Sequence, residues 1–152
     1  MASMSRVVAA VREAAEDSTL EQLCSRTVAL LKESSKTYDW VGIYYVCGRN
    51  LNLGPYLGAP TEHERIPIGE GICGAAAAEG ATIVVPDVTA DSRYIACSIE
   101  TKSEIVVPVQ RGGMAFAEID IDSHTANAFN DKDRKMLEEI AEILAAKFWG
   151  DD

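Results

Sequence analysis

Two short glycine-bearing turns, each set between runs of β-forming residues, constrain this chain more than any other feature. YDWVGIYYV and LNLGPYL flank Gly48-Arg49-Asn50, and EIVVPVQ and MAFAEIDID flank Arg111-Gly112-Gly113. Such turns fold a strand back on its predecessor. Hairpins pair antiparallel, so the two together argue against a sheet built from alternating strand–helix–strand units. Helical signals lie at both ends. Val7, Val8, Val11, Ala14 and Ala15 form a stripe over residues 4–16. Ser18-x-x-Glu21 reads as a capping box opening a second helix, with Leu20, Leu23, Cys24, Thr27, Val28 and Leu31 on one face. Phe129-Asn130-Asp131 caps a last helix whose apolar side runs from Met136 to Phe148. Between the hairpins, GICGAAAAEG reads as a short helix and ATIVVPD as a short strand. VTADSRYIACSIETKS reads as a long loop with at most one helical turn. The predicted architecture is α+β, a single domain of 152 residues with the terminal helices packed on one face of an antiparallel sheet.

Charge and composition narrow the function. A net charge of −10 repels a phosphate backbone, so nucleic acid is not an expected partner. No run of 18 or more apolar residues is present and the N-terminus lacks a signal-peptide core, so no membrane is expected and the cytoplasm is the predicted compartment. In a reducing compartment the four cysteines, Cys24, Cys47, Cys73 and Cys97, should not form structural disulfides. Cys24 falls on the apolar face of its helix and reads as core. Cys47 ends a strand, where a structural role is expected. There is no C-x-x-C pair, and the two histidines, His63 and His124, stand far apart, so no metal is expected and both histidines default to the surface.

Gly69-Glu70-Gly71-Ile72-Cys73-Gly74 spells G-x-G-x-x-G, the fingerprint of a dinucleotide pyrophosphate loop, and Asp87 follows near where a ribose-binding acid would stand. The context is wrong for that reading. A dinucleotide loop follows a core strand and opens a long helix, whereas here Pro67 weakens the preceding strand and Gly80 ends the helix early. The glycines read instead as a tight turn that lets backbone approach something closely. Cys73 then sits near a helix N-terminus, where partial positive charge favours a thiolate.

Several stretches together resemble the free methionine-(R)-sulfoxide reductases, a branch of the GAF-domain fold: DWVGIYYV (39–46), LNLGPYLGAP (51–60), RIPIGEGICGAA (65–76), YIACSIETKSEIVVPV (94–109) and IDIDS (119–123). They run in family order over most of the chain. The resemblance implies a six-stranded antiparallel sheet with helices on one side and a ligand pocket on the other, and a homodimer. It also implies reduction of the free amino acid sulfoxide, with one epimer preferred, and no resident cofactor beyond an external thiol reductant such as thioredoxin. One position departs from the pattern. The family's third cysteine, ten residues before Cys73, is His63 here, so the chain resembles a two-cysteine variant.

Sulfoxide reduction by a thiol needs a nucleophile, a proton for the departing oxygen and a second thiol to clear the sulfenic acid. The resemblance assigns Cys97, in Ile95-Ala96-Cys97, as the nucleophile and offers Cys73 as the resolving thiol. Asp120 and Asp122 are two apart on a strand and so share a face. The family match puts Glu104 opposite them. Crowded carboxylates raise at least one pKa, which suits proton donation, and an ionised member suits the substrate ammonium. Glu104 and Asp122 are assigned to the oxygen and Asp120 to the amine. Trp40 and Tyr44, four apart on a strand, share a face, which by spacing alone suits core aromatics; the resemblance implies that they wall the S-methyl group. Backbone N–H groups around Ile95, Ala96 and Cys97, or around Ser103–Ile105, would meet the substrate carboxylate. The rival readings are a non-catalytic GAF small-molecule sensor and a thiol redox sensor.

Overall fold

Both glycine turns close hairpins. In the computed structural model, which describes residues 3–94 and 100–150, β1 (Trp40–Cys47) turns into β2 (Asn50–Leu57) with Cys47 opposite Asn50. β5 (Ser103–Arg111) turns into β6 (Met114–Ser123) with Arg111 opposite Met114. Gly112 and Gly113 there have φ of 59° and 79°, the paired left-handed conformation that matches a two-residue turn to the strand twist. Two short strands, β3 (Arg65–Pro67) and β4 (Ile83–Val85), complete a six-stranded sheet of order β3-β2-β1-β6-β5-β4. Every adjacent pair is antiparallel. Pro67 lies on an edge strand, where its missing N–H costs least.

Three helices cover one face: α1 (Met4–Asp17), α2 (Leu20–Ser34) and α4 (Asp131–Trp149). Their apolar stripes meet Val41, Ile43, Ile105, Val107, Ile119 and Ile121 of the central strands. Cys24 is part of this core, as its helical position predicted. α4 starts as the sequence indicates, with Asn130 accepting from the Lys132 and Asp133 amides and Asp133 accepting from the Asn130 amide. Tyr38 donates to Asp133, tying that helix start to the entrance of β1. The start of α2 differs from the expectation by one residue. Thr19, not Ser18, is the N-cap, and Gln22, not Glu21, reaches back to its amide. The Ser18 hydroxyl instead donates to the Ala14 carbonyl of α1 at 2.6 Å. Two overlapping box patterns compete here, and the preceding helix claims the first hydroxyl.

The opposite face carries α3 (Gly71–Glu79), ended by Gly80 in the left-handed region. Its small residues, Gly74, Ala75 and Ala76, let it lie close to the sheet. A 3₁₀ turn at Val88–Ala90 follows β4, capped by Asp87, which accepts from the Thr89 amide and hydroxyl. Asp87 thus has a local task in place of the ribose contact its spacing suggested. No helix among the described residues is long and apolar enough to cross a membrane.

Candidate active site

Strand register gathers the acids. In β6, the alternation Ile119-Asp120-Ile121-Asp122 sends isoleucines to the helix-covered face and carboxylates to the α3 side, because strand side chains alternate. Directly opposed residues share a face. Trp40 lies opposite Asp122, Gly42 opposite Asp120 and Tyr44 opposite Glu118, while β5 sets Glu104 opposite Asp122. Glu104, Asp120 and Asp122 are 4%, 2% and 4% exposed, and Glu118 is fully buried. The expected pairing of Glu104 with the D-x-D acids is therefore present. Glu118 is an addition that sequence reasoning missed, although it stands two residues before Asp120 and obeys the same period.

Removing four carboxyls from water penalises their charged forms. Burial, then the charge of Asp120, pushes Asp122 well above the carboxylate range. Glu104 rises through burial, the charges of Asp120 and Asp122, and hydrogen bonds to both. Glu118 is pushed up to about 9 by burial and by Asp120. Asp120 is raised by burial, but hydrogen bonds from Glu104 and Cys73 pull it back. The directions form a consistent set. Glu104 and Asp122 are the members pushed furthest toward the protonated form, and Asp120 is the one that best tolerates charge. Because the groups are coupled, they titrate as a unit.

Cys73 lies in the first turn of α3, as expected, and is 5% exposed. The expected thiolate does not follow. Burial, then the charges of Asp120, Glu104, Glu118 and Asp122, push its pKa well above the ordinary thiol value. A helix N-terminus offers an anion about 0.3–2 kcal/mol, too little to offset desolvation beside four acids. Cys73 rests as a thiol beside Asp120. Its sulfur and one oxygen each of Glu104 and Asp120 lie within 4.8 Å of one another. Cys97, with Ile95 and Ala96, lies outside the described residues. Cys47 is exposed at the end of β1, so the structural role expected for it has no support in packing.

The hexapeptide that resembles a phosphate loop is explained by backbone geometry. Gly69 and Gly71 have φ of 100° and 67°, a region that other residues rarely enter. A Cβ on Gly74 would come within 2.7 Å of the Pro67 carbonyl oxygen and 2.9 Å of the Gly69 nitrogen. The Gly69 amide donates to the Gly74 carbonyl at 2.9 Å. The loop folds against itself and fixes Cys73 over the acids.

Trp40 and Tyr44 share the acid face, with ring centroids 6.4 Å apart. The Trp40 indole also stacks on Tyr56 at 5.5 Å and donates from Nε1 to the Ala59 carbonyl. It lies across Gly42, whose added Cβ would stand 2.3 Å from the ring. Tyr44 donates from its hydroxyl to the His63 carbonyl. A small cavity of about 20 Å³ is bounded by Tyr44, His63, Ile66, Cys73, Glu104 and Asp120, among others. Trp40 is one layer removed from its lining. His63, expected on the surface, is half-buried and lines this cavity. The residue at the family's third-cysteine position thus belongs to the site, brought there by the β2–β3 connection. His124 is surface-exposed as expected, its amide donating to Asp39.

This geometry has relatives. Residues 19–148 match the GAF domain family. The chain is 38% identical over 130 residues to GAF domain-containing protein A of Dictyostelium discoideum, spanning 85% of this chain and 80% of that one. It is 35% identical over 136 residues to the free methionine-R-sulfoxide reductase of Escherichia coli, spanning 87% of this chain and 81% of that one. The fold superposes on the free methionine-R-sulfoxide reductase of Neisseria meningitidis, solved with its substrate, at a TM-score of 0.92 and 35% identity, over 99% of this chain and 93% of that one. With a matched GAF domain, an acid-lined face and reductase relatives spanning most of its length, this chain belongs to the GAF-domain family, in its free methionine-R-sulfoxide reductase branch of oxidoreductases.

Proposed function

We propose that the protein reduces free L-methionine-(R)-sulfoxide to methionine, with Cys97 as the attacking thiol. The observation that carries this reading is the buried carboxyl set facing Cys73. Burial and mutual repulsion push its Glu104 and Asp122 members well above the ordinary carboxylate range, which favours their protonated forms. A sulfoxide oxygen leaves only when protonated, and a raised carboxyl is a proton donor matched to that task. Cys97 attacks the sulfur, and Glu104 and Asp122 supply the oxygen with its proton. The protonated oxygen passes from the substrate sulfur to Cys97 Sγ as the bond between the two sulfurs breaks, so methionine leaves, Cys97 is left as a sulfenic acid, and the proton lost from its thiol restores the acid. Cys73 then attacks that sulfur: the bond between the two Sγ atoms forms as the S–O bond breaks, Asp120 beside it takes the thiol proton, and the oxygen departs as water with a proton from the acid set. An external dithiol such as thioredoxin reduces the disulfide by exchange.

Asp120 also offers the negative charge that a substrate ammonium needs. Trp40 and Tyr44 supply an aromatic wall compatible with an S-methyl group. The cavity of about 20 Å³ holds one water, so an amino acid enters only as its walls separate. A homodimer working in the reducing cytoplasm, as the family resemblance implies, completes the reading.

Free methionine-(R)-sulfoxide incubated with the reduced protein and a dithiol should yield methionine. Cys97→Ser should abolish turnover, and Cys73→Ser should still give about one methionine per chain without reductant while slowing thioredoxin-driven turnover. A protein that produces no methionine, or a Cys97→Ser variant as active as the parent, would sink the reading and leave a sensor as the better account.

A further inference from the structure

Three segments remote in sequence bring one sulfur and several oxygens together. Cys73 comes from α3, Glu104 from β5 and Asp120 from β6, with one donor atom of each within 4.8 Å of the other two. Clustered acids alone signify little, but two further observations bear on this cluster. Asp120 Oδ1, in a residue 2% exposed, is buried and no N–H or hydroxyl among the described residues donates to it. Folded proteins leave few such atoms, and each is costly. In addition, Cys73, Glu104 and Asp120 face one cavity of about 20 Å³, which suits an occupant the size of a water or a metal ion.

We propose that Cys73, Glu104 and Asp120 form a binding site for a borderline-soft divalent cation of the Zn²⁺ class. Mixed sulfur and carboxylate donors select such an ion. Zn²⁺ takes thiolate at about 2.3 Å and carboxylate at about 2.0–2.2 Å in a tetrahedron, which needs the donors to draw in by roughly an ångström. Mg²⁺ and Ca²⁺ prefer six or more oxygens and gain nothing from the thiol. A bound cation displaces the thiol and carboxyl protons into solvent and gives the orphaned Asp120 oxygen a partner. It also occupies the resolving thiol and two of the acids, so it inhibits turnover. That inhibition rests on the reductase reading, whereas cation binding does not.

Competition against a chromophoric zinc chelator, with the full chain kept reduced by a phosphine, measures the site directly. The parent and Cys47→Ser should bind one Zn²⁺ per chain with equal affinity, and Cys73→Ser and Asp120→Asn should bind about tenfold or more weakly. Co²⁺ should give the parent and Cys47→Ser a thiolate-to-metal charge-transfer band that Cys73→Ser lacks, a readout that does not depend on how well the aspartate variant folds. Equal zinc affinity in the parent and Cys73→Ser, or no charge-transfer band in the parent, overturns the site. Zinc binding by a protein inactive on the sulfoxide would overturn the reductase reading and leave the site standing.

Discussion

The two faces of the same central strands behave oppositely. On the helix-covered face, Ile119 and Ile121 of β6, Val41 and Ile43 of β1, and Ile105 and Val107 of β5 lock into α1, α2 and α4 with no polar atom to satisfy. On the α3 face, the residues between them, Glu118, Asp120, Asp122 and Glu104, place carboxyls where hydrocarbon would be more stable. One face gains about 25 cal/mol per Å² buried. The other carries buried oxygens on Glu118, Asp120 and Asp122 that no N–H or hydroxyl among the described residues reaches. A fold keeps such a face only if the opposite one is stable enough to hold it, and sites of chemistry are where local rules of this kind are broken.

The sharpest test of this contrast pairs neighbours in β6. Asp122→Asn should lower sulfoxide turnover by about 10²–10⁴-fold while leaving the urea midpoint unchanged or higher. Ile121→Ala, one residue away, should cost about 2–5 kcal/mol of stability in the same urea titration. If both variants unfold alike, the acids are structural and the contrast fails.

Glu118→Gln comes next. Its carboxyl, raised from 4.5 to about 9, binds a proton more tightly in the folded chain than in the unfolded one. Its contribution is therefore complete below pH 4.5 and falls as pH rises toward 9, because the native state holds the extra proton. At pH 7 the parent should be less stable than Glu118→Gln by up to about 3 kcal/mol, from 1.36 kcal/mol per pH unit above the free value. The two should converge below pH 4.5. Chemical denaturation at several pH values checks this, and a difference that does not depend on pH would remove Glu118 from the account.

The smallest effect expected concerns packing. Gly42→Ala puts a Cβ 2.3 Å from the Trp40 ring, and moving the indole should cost about 1–3 kcal/mol and change the near-ultraviolet dichroism of Trp40. An unaltered spectrum would mean that the ring has room the packing does not show.

Much of this was legible in the chain. Periodicity in α1, α2 and α4, the turn glycines of both hairpins and the I-D-I-D alternation are local properties. Each follows from how a helix or strand presents successive side chains. The misread cap, Ser18 for Thr19 at the start of α2, arose because two capping patterns overlap and only the path of α1 decides between them.

Sequence by itself determined an antiparallel α+β sheet, the shared face of Asp120 and Asp122, and the short run that GEGICG could take. Tertiary structure alone decided what those residues experience. Strand order places Glu118 and Glu104 beside the D-x-D pair, the chain path brings His63 to the cavity, and burial turns Cys73 from an expected thiolate into a protonated thiol. Desolvation and charge repulsion depend on distances between segments far apart in the chain, and no local pattern encodes those distances.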